Sequence, residues 1–61
     1  MWHDVACAPT DCDLKLAVID SEGVHALVFA CRRVIGGWID AVSKRRIDIR
    51  PTHWRRWNGA G

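Results

Sequence analysis

Between Asp13 and Arg50 the chain is built from four runs rich in apolar side chains at every second position, and each run ends at a turn signal or at proline. A period of two is the pattern of a strand that turns one face to a core, and a helix cannot present it as a single apolar stripe. "DLKLAVID" sets Leu14, Leu16 and Val18 against Lys15, Ala17 and Ile19. "SEG" follows, in which Gly23 can take positive φ at the end of a three-residue hairpin loop. "VHALVFACRRVI" is the longest run and stops at Gly36 and Gly37, the pair expected to form a two-residue turn of the primed type. "WIDAV" and "RIDIR" complete the set, joined by "SKR", and Pro51 ends the last run because it has no amide hydrogen to place in a ladder. The expected fold class is mainly β: a four-stranded antiparallel meander over residues 13–20, 24–35, 38–42 and 46–50, in sequence order.

A register with Asp20 opposite Val24, Ile35 opposite Trp38 and Val42 opposite Arg46 tests this reading. It places Leu14, Leu16, Val18, Val24, Ala26, Val28, Val34, Ile39 and Ile47 on one predominantly apolar face. The other face is apolar in its middle, at Leu27, Phe29, Cys31 and Trp38, and charged at its margins. Two apolar faces on so small a sheet call for strong curling, as in a half-open barrel, or for cover from the termini. At 61 residues the chain buries only about 60% of the surface its unfolded form exposes, so every large apolar side chain has a claim on the core. The tail "PTHWRRW" is therefore expected to be a lid. Thr52 would N-cap a short C-terminal helical turn, Trp54 and Trp57 would share its inner side, and Arg55 and Arg56 would face solvent. Residues 1–13 read as an irregular arm, 14–57 as one small β domain and 58–61 as a flexible tail.

Composition sets the class of molecule. With 49% hydrophobic and 26% charged residues the chain is unlike a disordered segment. No run approaches the roughly 20 apolar residues that cross a bilayer, and the opening "WHDVACAPTD" has no basic n-region, so neither a membrane partner nor a secretory signal is expected. Cys7, Cys12 and Cys31 make an odd count that suits free thiols in a reducing bacterial cytoplasm. Charge is unevenly spread. Residues 1–31 hold five acids against Lys15, a net −4, and residues 32–61 hold eight bases against Asp40 and Asp48, a net +6. Such polarity can draw an acidic partner to one end, or pair two copies head to tail.

Laid out as strands, the chain resembles a group of short alphaproteobacterial proteins through "GVHALVF", "CRR", "GGW" and "PTHWR", over about residues 14–57. The resemblance implies a bacterial compartment and a shared small fold. It implies no activity and transfers no functional residue.

Catalysis is not expected, because a nucleophile needs a base within hydrogen-bond reach and a water-excluding pocket, and no pair of residues here offers both. A structural zinc domain, with His3, Cys7 and Cys12 completed by Cys31 or His25, lacks the second pair of closely spaced ligands that such sites use. Neither metal nor cofactor is expected. Nucleic-acid binding is a stronger alternative: Arg32, Arg33, Arg45, Arg46 and Arg50 can meet phosphates and Trp38 can stack on a base, although no signature string of a nucleic-acid-binding family is present. The leading expectation is a non-enzymatic interaction module that associates with itself or with another protein. The contact would be a sheet edge or the face bearing Trp38, and it would relieve the marginal stability of a domain this small.

Overall fold

A computed structural model describes residues 1–58. The chain forms one open antiparallel sheet from β1 (His3–Asp4), β2 (Leu14–Asp20), β3 (Gly23–Ala26), β4 (Cys31–Val34), β5 (Gly37–Asp40), β6 (Arg46–Ile47) and β7 (His53–Arg56). The spatial order is β1-β7-β2-β4-β5-β6, and β3 pairs with β2 alongside β4. The mainly β class and the unclosed antiparallel sheet agree with the sequence reading. The strand count and the order do not: there are seven strands in place of four, and β7 returns to lie between β1 and β2 instead of the chain ending as a meander.

The expected C-terminal helical turn is strand β7, which pairs Trp54 with Leu16, Lys15 with Arg55 and Leu14 with Arg56. Thr52, read as a helix N-cap, serves the sheet instead. Its amide donates to the Ala17 carbonyl at 2.9 Å, and its Oγ1 accepts from the Ile19 amide at 2.8 Å. The free edge of β2 outcompetes a lone helical turn because each ladder bond is fixed by strands already in place, whereas a helix nucleus must be ordered anew. Extended backbone then separates the two tail tryptophans. Trp54 packs against the core, while Trp57 sits near Lys15, whose Nζ lies 5.9 Å from its ring centroid.

Register departs from expectation at each turn. Asp20 pairs with Gly23, so the first hairpin closes over Ser21 and Glu22 alone, and Val18 opposes His25. Gly23 does take positive φ, at 123°. Ala17 opposes Ala26 and Leu14 opposes Cys31, so five steps of one strand span three of the other and two extra residues bulge out. The expected single strand over 24–35 is thus β3 and β4 joined through a bulge that leaves Val28 exposed. The second turn falls on Ile35 and Gly36, one residue earlier than the Gly36–Gly37 pair, with φ of 82° at Gly36. That slip is by two positions, so Trp38 stays on the face of Arg33. Between β5 and β6 the loop is longer than "SKR". Asp40 Oδ1 accepts from the amides of Val42 and Ser43, and Lys44 fills the left-handed position at φ 64° that no glycine supplies. This puts Ile47 beside Trp38 and not on the face of Ile39.

The core forms on one face. Leu14, Leu16 and Cys31 are fully buried with Ala8 from the amino-terminal arm, and Leu27, Phe29, Trp38, Ile47 and Trp54 pack around them. Fully burying each leucine contributes about 1.5–3 kcal/mol. The arm is not wholly irregular: beyond β1 it makes a 3₁₀ turn over Val5–Cys7, capped by Asp4, whose Oδ1 accepts from the Ala6 amide at 2.9 Å. It is held over the core by Val5, whose amide donates to the Thr52 carbonyl, and by Arg33, whose Nη1 donates to the Ala8 carbonyl at 2.8 Å. Of the expected tail over 58–61, residues 59–61 lie outside the described residues. Among the described residues no helix is long and apolar enough to cross a membrane.

Candidate functional site

A cleft of about 650 Å³ opens where the arm, the β4–β5 turn and the segment from β6 to Pro51 come together. Its apolar lining is Val5 and Ala6 from the arm with Trp38, Ile47, Ile49 and Pro51. Arg33, Arg46 and Arg50 stand around this lining, and Asp48 is the one carboxylate residue in it. Cross-strand pairing explains the grouping: Arg33 opposes Trp38 and Trp38 opposes Ile47, so the three side chains share one face in adjacent strands.

Two of the cations, Arg33 and Arg46, are held by uncharged partners. The Arg33 guanidinium lies 5.8 Å from the centroid of the Trp38 ring and spends Nη1 on arm carbonyls. Arg46 donates from Nη2 to the Gly36 carbonyl. Among the described residues none of Arg33, Arg46 and Arg50 is in an ion pair. Among the described residues Arg32 pairs with Asp13, at 2.8 Å, and His25 lies 3.3 Å from Asp20. The cleft thus offers an anion three guanidinium groups that no carboxylate among the described residues pairs with directly.

Of the six residues singled out from sequence, the structure brings Arg33, Trp38, Arg46 and Arg50 together. Arg32 falls on the opposite face of the sheet, where the Asp13 carboxylate holds its guanidinium pKa up. Arg45 lies in the exposed loop before β6 and outside the cleft. The apolar half of the site, Val5, Ile47, Ile49 and Pro51, was not singled out. Ile47 and Ile49 did alternate within "RIDIR", but the arm's approach leaves no local signal.

The zinc ligands suggested by sequence do not gather. Among the described residues, His3, Cys7, Cys12 and Cys31 form no ligand cluster, and the candidate metal-binding group is instead Asp20, Glu22 and His25, all exposed at the first hairpin. Cys31 is fully buried, its thiol donating to the Phe29 carbonyl at 3.6 Å. Burial, with the Asp40 carboxylate adding to it, pushes its pKa up to about 11, far from a reactive thiolate. Comparison of the chain with protein-family models, with curated proteins and with solved structures gives no match.

Proposed function

We propose that the protein is a non-enzymatic interaction module whose cleft accepts a segment of a partner protein carrying both acidic and apolar side chains. One observation carries the reading: three guanidinium groups without carboxylate partners among the described residues surround one half-buried indole and a patch of aliphatic side chains. Guanidinium forks suit carboxylates, and the lining of Trp38, Ile47 and Ile49 suits an aliphatic side chain between them. The reading needs no metal and no cofactor. Free thiols at Cys7, Cys12 and Cys31 suit a reducing bacterial cytoplasm as its setting.

A nucleic-acid strand is the competing occupant. It fits less well, because stacking needs an open ring face and Arg33 already lies over Trp38, and because Arg32 points away from the track a phosphate backbone would follow. Titration of ¹⁵N-labelled protein with a peptide alternating glutamate and leucine, with its glutamine counterpart, and with single-stranded DNA separates the two. The expected result is salt-sensitive shifts at the Trp38 indole and at residues 46–50 with the acidic peptide alone. Equal or larger shifts with the oligonucleotide, or none with the acidic peptide, overturn the proposal.

A further inference from the structure

The acidic half of this chain supplies a segment of the kind the cleft would take. The tip of the β2–β3 hairpin carries Asp20 and Glu22, both exposed, beside Val24, which is 54% exposed. Its shape is set locally. Asp20 Oδ1 accepts from the Glu22 amide at 2.8 Å, and that bond, as the largest cause, holds the Asp20 carboxyl below its ordinary range, so the tip is anionic near neutral pH. His25 lies beside it, with Nε2 3.3 Å from Asp20 Oδ1. Glu22, by contrast, is in neither of the two ion pairs present among the described residues.

This tip cannot reach the cleft of its own chain. At Leu14, β2 lies next to Cys31; from there β2 runs to the tip, roughly 20 Å away at about 3.3 Å per residue. From Cys31 the chain runs the opposite way, through β4 to the turn at Ile35 and Gly36 that borders the cleft. The acidic tip and the basic cleft therefore occupy opposite ends of the sheet, in a molecule whose longest extent is 30 Å. Any hairpin of this kind in the cleft belongs to another copy.

We propose that the chain associates head to tail, the Asp20–Glu22 hairpin of one copy entering the cleft of Arg33, Trp38, Arg46 and Arg50 on the next. The inference rests on the reading of the cleft as an acceptor of acidic and apolar protein segments. Glu22 meets the guanidinium groups, Val24 meets the aliphatic lining, and a cleft of this size holds a hairpin tip and not a whole strand. The contact joins two different surfaces, so a pair of copies keeps one tip and one cleft free for further copies, and the assembly lengthens with concentration unless the rotation closes a ring. The exposed carboxylates at the tip and the guanidinium groups around the cleft favour this orientation over a symmetric pairing of like surfaces.

Sedimentation velocity over a hundredfold concentration range, at low and at high salt, reads the association. The wild-type chain is expected to sediment progressively faster with concentration at low salt and as a monomer at high salt. Glu22→Lys, an exposed turn residue outside the cleft, is expected to abolish the association while leaving titration by the glutamate–leucine peptide unchanged. Arg50→Glu is expected to abolish both, and the double variant Glu22→Lys with Arg50→Glu to regain association in whole or in part. A wild-type chain that stays monomeric throughout, or one that associates equally well as Glu22→Lys, overturns the head-to-tail contact. Peptide binding retained in that case leaves the cleft reading intact, and its loss removes both.

Discussion

Thr52 Oγ1 accepts the amide hydrogen of Ile19 at 2.8 Å, across 33 residues of chain, while the Thr52 amide donates to Ala17 at 2.9 Å. One residue thereby seats the carboxy-terminal strand against the middle of the sheet. Thr52→Val keeps the β-branched shape and removes the hydroxyl. A loss of about 0.5–1.5 kcal/mol in urea unfolding, with faster amide exchange at Ile19, is the expected outcome. An unchanged exchange rate at Ile19 would show that the hydroxyl contributes nothing.

Trp54 stands opposite Leu16 and packs on the core, its ring centroid 4.8 Å from that of His3, yet its indole Nε1 is buried without an acceptor among the described residues. Trp54→Ala is expected to cost about 3–5 kcal/mol, enough to unfold much of a domain of this size. Trp54→Phe keeps most of the ring and removes an unpaired buried donor, so it should cost much less than the alanine variant. Trp57→Ala, on the other face, should be the mildest of the three. Chemical denaturation of the set checks the order.

Cys31 links stability to alkaline pH. Its folded pKa, about 11, lies above the ordinary value of 9.0, so the native state holds the thiol proton more tightly than the unfolded chain does. The associated stability is fully present below pH 9 and is lost as pH rises from 9 towards 11, by a total on the order of 2 kcal/mol. Urea midpoints measured across that range should fall more steeply for the wild type than for Cys31→Ala. At mild pH a thiol reagent should label exposed Cys7 well before Cys31.

Gly37 is the position where the fold and the cleft can be separated. A Cβ there would lie 2.9 Å from Arg46 Nη2, the far end of a flexible side chain, and Gly37 itself has no positive φ. Gly37→Ala should therefore change stability little and displace the Arg46 guanidinium, weakening acidic-peptide binding severalfold. Gly36→Ala, at φ 82°, should instead cost on the order of 1–3 kcal/mol through backbone strain. Melting curves and peptide titrations of the two variants give opposite profiles if this assignment holds.

Arg33 ties the arm to the sheet through the Ala6 and Ala8 carbonyls, at 3.4 and 2.8 Å. Arg33→Met retains much of the side-chain stem and loses both bonds. Amide exchange over residues 5–8 is expected to rise while β2 and β7 stay protected, and a uniform rise across the sheet would show that the arm is not a separate element.

The β class, the antiparallel pairing of neighbouring runs and the positive φ at Gly23 are legible in the residues alone, because alternation and glycine act within a few residues of chain. It also brought out Arg33, Trp38, Arg46 and Arg50, whose types are conspicuous in so short a chain. The rest depends on partners far apart in the chain. Thr52 is equally good as a helix cap or as a clamp on Ile19, and the unfilled edge of β2 settles which, a partner 33 residues distant that no local pattern contains. Register was decided in the same way. The bulge at Val28 and the left-handed Lys44 cost little locally, and they are chosen because they place Cys31 beside Leu14 and Ile47 beside Trp38, where one face of the sheet can be buried under the arm. Alternation sends the adjacent Arg32 and Arg33 to opposite faces, and the long-range packing decides what each meets, Asp13 for the one and the cleft for the other.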